Sequence, residues 1–206
     1  MPNHCSNTLT VQGPRSQVFD FCRDHYRQPQ SWNPEKDYED EKTVLDFSYC
    51  APYPAQRVND DSWYDWRVGS WGTKWNAYEI CYLTFPEVLD AVQEDKDNDT
   101  ASIEYSFVTA WAPPVPWLER AAVKYPDLTF ALSWYELAND FYGATVQRGE
   151  ETLTLEEGTA SDLCPENVDW DDDEASQHAW EQQLTSVEEK LQKIVSEGLT
   201  SADFLV

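Results

Sequence analysis

Thr8-Leu9-Thr10-Val11 alternates polar and apolar side chains and runs into Gly13-Pro14, the pattern of a half-buried strand that ends in a turn. Val18, Phe19, Phe21 and Cys22 follow at near-helical spacing, which predicts a helix over Ser16 to Tyr26 with Ser16 as its N-cap. Gln28 to Lys42 is rich in Pro, Asp and Glu and reads as a surface loop. Val44 to Phe47 predicts a short strand, and Pro52 and Pro54 punctuate the loop after it. Phe85 to Gln93 predicts a helix opened by Pro86, at a position that tolerates proline, and the run from Glu94 to Asp99 an acidic turn. Ile103 to Trp111 then predicts a strand, Pro116 to Tyr125 a helix and Leu128 to Tyr135 a strand. Phe141 to Arg148 and Glu151 to Leu155 predict a hairpin around Gly149.

Periodicity vanishes from Glu156 to Glu174 and returns as the clearest helix of the chain, Glu174 to Glu197. There Trp180, Leu184, Val187, Leu191 and Ile194 step four and three residues apart, an apolar stripe, and Gly198 reads as its C′ stop. Such a stripe must pack on the core, pair with a second copy in a homo-oligomer, or enter a partner. Strands interleaved with helices predict an α+β sandwich with a mainly antiparallel sheet. The organisation expected is an α+β domain over 1–155 and an acidic linker with an amphipathic helix over 156–206.

Charge changes the picture. The chain has 39 Asp and Glu against 14 Lys and Arg, a formal net of −25, and the stretch from Glu150 to Glu189 holds 14 acids and no Lys or Arg. DNA, RNA and anionic membranes are therefore excluded as direct partners, because binding them takes cations that displace counterions. A basic protein is the complementary partner, and a groove that normally holds nucleic acid is the extreme case. The carboxylates that would meet it are Glu156, Glu157, Glu166, Asp169, Asp171, Asp172, Asp173 and Glu174. With 10 Trp, 11 Tyr and 8 Phe, the chain still has ample area for a core.

Candidate chemistry is sparse. The runs beginning at Asp95 and Asp169 resemble calcium loops, but their sixth positions hold Thr100 and Glu174 where the turn needs Gly. Five widely spaced cysteines form no C-x-x-C pair, so neither a zinc site nor a redox dithiol is expected, and reduced, buried thiols are. His4, His25 and His178 show no ligand spacing, and no nucleophile elbow or metalloprotease motif is present. No catalytic residues, metal or cofactor are expected. No stretch reaches the ~18–20 apolar residues of a membrane span. The N-terminus carries neither a basic nor an apolar leader region, so a cytoplasmic location is expected.

The segment from Ser62 to Tyr78 reads SWYDWRVGSWGTKWNAY and sets Trp63, Trp66, Trp71 and Trp75 among Arg67 and Lys74. Indole faces suit a guanidinium or ammonium, either in a ligand site or, as the commoner outcome, in a cluster that anchors a long insertion. Trp71, Trp75, Trp111 and Trp117 are expected to be largely buried.

Four stretches resemble the YubB-type ferredoxin-like family of bacteriophage and plasmid proteins. They are MPNHCSNTLTVQG, WRVGSWGTKWNA, FVTAWAPPVPWLERAAVKYPDLTF and SWYELANDFYGA, spread over roughly Met1 to Gly149. His4 stands where a Trp is usual, Asn139 stands where a Met is common, and Glu150 to Val206 lies outside the shared pattern. The resemblance implies a ferredoxin-like sandwich, no established enzyme activity, and a setting in which acidic proteins inhibit a host nuclease, helicase or defence complex. Together with the charge, it leads to the expectation of a DNA-mimicking inhibitor, with an interaction module acting through the C-terminal helix as the alternative.

Overall fold

In a computed structural model of the protein, residues 3–27, 43–54, 62–80, 99–166 and 168–203 are described. The strands are β1 (His4–Pro14), β2 (Thr100–Ala110), β3 (Thr129–Glu136), β4 (Phe141–Arg148) and β5 (Glu151–Gly158). The helices among the described residues are α1 (Arg15–His25), α2 (Trp63–Trp71), α3 (Val115–Lys124) and α4 (Asp173–Asp203). The five strands form one sheet in the order β2-β1-β3-β4-β5, every neighbouring pair antiparallel. β2, α3 and β3 make a split crossover, with β1 lying between the two strands it joins.

The alternation in β1 decides which face is which. Cys5, Leu9 and Val11 are fully buried, and Leu9 sits between Tyr105 of β2 and Leu132 of β3. This face packs against Val18, Phe21 and Cys22 of α1 and Trp117, Leu118, Ala121 and Ala122 of α3, one continuous core. The other face carries a second, smaller core: Val187, Leu191 and Ile194 of α4 against Tyr142 and Ala144 of β4 and Ala160. β4 is consequently buried on both faces. The C-terminal stripe thus rests on the sheet of its own chain.

Several local expectations are corrected. α1 begins at Arg15 after Pro14, and Ser16 makes no capping bond. The strand expected at Val44 to Phe47 is instead an isolated bridge, Thr43 to Arg27, followed by a 3₁₀ turn at Phe47–Tyr49. The reason is Asp46, whose carboxylate accepts hydrogen bonds from the Ser48 N–H (3.1 Å), the Ser48 hydroxyl and Asn76 Nδ2 (2.8 Å). Side-chain bonds of this kind compete with a strand ladder. The helix expected at Phe85 to Gln93 lies outside the described residues, as does the acidic turn up to residue 98.

At the C-terminal end, β5 runs three residues past the expected boundary, because Tyr142, Gly143 and Ala144 of β4 offer backbone partners to Gly158, Glu157 and Glu156. α4 does not stop at Gly198 but continues to Asp203. At Gly198 the helix lies tight against the sheet: a Cβ there would sit 2.5 Å from Val146 Cγ2 and 2.9 Å from Thr154 Oγ1. The missing side chain is a packing requirement rather than a stop signal. None of the helices among the described residues is long and apolar enough to cross a membrane.

Candidate interaction surfaces

The tryptophan-rich segment divides into an inner and an outer half. On α2, Arg67 is buried with its guanidinium carbon 4.7 Å from the Trp71 ring and 5.5 Å from the Trp63 ring. Trp71 is itself buried, donates its indole N–H to Ala51 O (2.9 Å) and meets Trp66 edge-on. Trp66 and Trp71 therefore tie α2 to the main core, and Arg67 lies over the rings of Trp63 and Trp71. Gly72 ends the helix in the left-handed region (φ 84°), against Pro113 and Pro116, where a Cβ would clash. Past this turn the chain emerges at the surface. Lys74 Nζ lies 5.1 Å from both the Trp75 and Trp111 rings, which are 37% and 39% exposed.

Of the four tryptophans expected to be buried, Trp71 and Trp117 are, whereas Trp75 and Trp111 are not. The ammonium between them explains the difference. A lysine head keeps its hydration on one side while its stem and the indoles cover each other. Trp111 adopts φ 71°, uncommon for a bulky residue. It is held there by its N–H bond to Asn3 O (3.0 Å), and the preceding Ala110 exchanges two bonds with Thr73 Oγ1.

The acidic residues are placed by β5, by the turns after it and by the first turn of α4. Glu157, Glu166, Asp169 and Asp171 to Glu174 are exposed, and Glu156 is half-buried in an ion pair with Lys190 (2.6 Å). Asp172 caps α4, its Oδ1 accepting from the Ala175 N–H (2.9 Å), and Asp173 and Glu174 lie in the first turn, where the helix dipole favours negative charge. Farther along, Glu181, Glu189 and Glu197 are exposed as well, whereas Glu188 turns toward the Tyr135 hydroxyl of β3.

The apolar stripe is rotated by one residue in its first half. Ala179 and Gln183 face the sheet, Trp180 is 46% exposed and Leu184 is half-buried. Gln183 takes the inner position because its Nε2 donates to Ala160 O (2.7 Å).

One polar cluster went unnoticed in the sequence because its members are far apart in the chain. His25 Nδ1 lies 2.8 Å from Phe21 O and its Nε2 lies 3.4 Å from Cys50 Sγ. Beside it, Asp24 Oδ2 accepts from the hydroxyls of Tyr49 and Tyr125, each at 2.9 Å. Burial pushes the Cys50 thiol up to about 12 and the His25 imidazole down to about 4. The pair is neutral, thiol and imidazole, and lacks the thiolate that a cysteine nucleophile needs. It is a structural contact. Cys5, Cys22, Cys50 and Cys164 are free thiols. No three metal-ligating side chains converge among the described residues.

Residues 91–183 match a family model described as the ferredoxin-like domain in Api92-like protein. The crystal structure of a protein Api92 from Yersinia pseudotuberculosis is similar with a TM-score of 0.50, over 77% of this chain and 98% of that one, at 8% identity. The fold is ferredoxin-like. No curated protein matches the chain in sequence. The matched span runs through the acidic stretch and into α4, past Gly149, whereas the four stretches quoted from the sequence lie before Gly149. The tryptophan-rich segment at 62–78 lies outside it.

Proposed function

We propose that the protein acts by binding rather than by chemistry, presenting the acidic face of β5, the turns after it and the outer side of α4 to a basic groove. The partner is a bacterial host protein that ordinarily holds nucleic acid, such as a nuclease, a helicase or a defence complex, and the carboxylates stand in for phosphates. The observation that carries this reading is the pairing of charge with orientation. α4 commits Val187, Leu191 and Ile194 to its own sheet, so Asp173, Glu174, Glu181 and Glu189 face solvent in a region with no Lys or Arg before Lys190. Such a surface associates quickly and in a salt-dependent way with a positive groove. The YubB-type resemblance, with its phages and plasmids, suits an inhibitor of host defence. The alternative, docking or oligomerising through the C-terminal stripe, is less favoured because the sheet occupies most of that stripe.

The test is capture of host proteins on the immobilised full chain, followed by elution with duplex DNA. The expected outcome is release of nucleic-acid-binding proteins by DNA and by moderate salt. A variant carrying Asp169→Asn, Asp171→Asn, Asp173→Asn and Glu174→Gln should retain at least tenfold less. Retained proteins that resist DNA competition would sink the mimicry.

A further inference from the structure

Among the described residues, the second face of the sheet is only half covered. Strands about 4.8 Å apart give a five-stranded sheet roughly 20 Å between its outer strands, whereas a helix with its side chains is about 10 Å across. α4 sits mainly on β3, β4 and β5, so a trench of about 440 Å³ is left beside it over β1 and β2. That volume is in the range of small-molecule sites.

Its floor is a ladder of hydroxyls. Thr8 of β1 is flanked by Ser106 of β2 and Ser133 of β3, and Thr10 lies beside Glu104. Among the described residues, the hydroxyls of Thr8, Thr10, Ser106 and Ser133 make no side-chain hydrogen bond, so their donors and acceptors point into the trench unused. The wall on the α4 side sets Leu191 and Val195, an aliphatic strip, beside the amide of Gln192 and the carboxylate of Glu188.

Carboxylates stand at both ends. Glu188 reaches the Tyr135 hydroxyl, next to Ser6, at one end. Glu79 lies at the same end, one residue after Tyr78, which is bridged to Val108 opposite Ser6. Glu104 is four residues from Val108 along β2, about 13 Å away at the rise of a strand. Carboxylates that far apart cannot share a metal ion. They can hold the two ends of one elongated cation whose middle is aliphatic.

We propose that this trench binds a linear aliphatic polyamine, with ammonium groups at Glu104 and at the Glu79–Glu188 end and methylenes along Leu191 and Val195. The floor hydroxyls accept hydrogen bonds from any amine between the ends. Neither a nucleic-acid mimic nor its partner is required for this site, so it stands or falls independently of the acidic face.

Calorimetric titration of the full chain with spermidine tests it. The expected result is one site per chain, weakened at least tenfold by Glu104→Gln with Glu188→Gln. Asp171→Asn with Glu174→Gln removes the same charge outside the trench and should leave binding within twofold. All four positions are exposed, and an unchanged near-UV circular dichroism spectrum confirms that each variant folds. Equal weakening by both pairs, or many spermidines per chain, would mean a diffuse counterion cloud and overturn the site. Displacement by magnesium at equal charge would overturn it too, as would tighter trench binding of a tetralysine peptide, which would reassign the trench to a basic protein segment.

Discussion

Trp71 and Trp117 are both buried, yet only one of them has a partner for its indole N–H. Trp71 donates to Ala51 O at 2.9 Å, whereas Trp117 stacks on Phe47 at 4.5 Å and its Nε1 meets no acceptor among the described residues. Truncating either to Ala should cost about 3–5 kcal/mol. Replacement by Phe should separate them, because Trp71→Phe also strips a buried carbonyl of its donor, a further penalty of about 1–3 kcal/mol. Urea midpoints of the two Phe variants check this, and equal losses would refute it. His25 gives a pH dependence with a definite sign. Its folded value, about 4, lies below the ordinary 6.5, so the unfolded chain takes up the proton first as pH falls. The contribution is complete above pH ~6.5 and is lost on the way to pH ~4, roughly 3 kcal/mol in all. Burial raises Asp46, which acts with the opposite sign. The measurement is therefore the difference in urea midpoint between pH 6.5 and 4.5 in wild type and in His25→Asn, which should be smaller in the variant. No reading of the sequence could join His25 to Cys50, since nothing in their spacing places them on one element.

Among the elements, the alternation of Thr8 to Val11 and the hairpin around Gly149 were legible because both follow from local periodicity and turn chemistry. Val187, Leu191 and Ile194 were legible for the same reason. Trp180 and Ala179 were not, because successive residues on a helix differ by about 100°, and the choice between them is made by Gln183 reaching Ala160 O. Strand order was also beyond reach, since pairing β1 with strands about a hundred residues away leaves no local trace. Gly198 offers the sharpest test at this scale. Gly→Ala inside an exposed helix ordinarily gains about 1 kcal/mol. Here the added methyl meets Val146 and Thr154, and overpacking costs about 1–3 kcal/mol, so Gly198→Ala should lower the melting temperature. A rise would show that α4 can lift from the sheet without penalty.

For the whole molecule, the net charge of −25 is a standing repulsion, and its C-terminal share is the larger for its length. Residues 150–206 hold 16 acids against Lys190 and Lys193, and α4 nevertheless docks on the sheet. Raising salt from about 10 to about 150 mM shortens the Debye length from roughly 30 Å to roughly 8 Å, so the unfolding midpoint should rise over that range. A flat response in differential scanning calorimetry would show that the acids are too dispersed to repel. The position of β1 has a different kind of consequence. It lies between β2 and β3, and both begin at or beyond Thr100. At about 5–20 residues per second, a ribosome needs several seconds or more to deliver the partners of the strand it made first. For that interval Leu9 and Val11 wait with both edges of their strand open, and the polar file of Thr8, Thr10 and Gln12 leaves only one side of it sticky. An interior strand of the sheet, the first of the five along the chain, is among the last to find its neighbours.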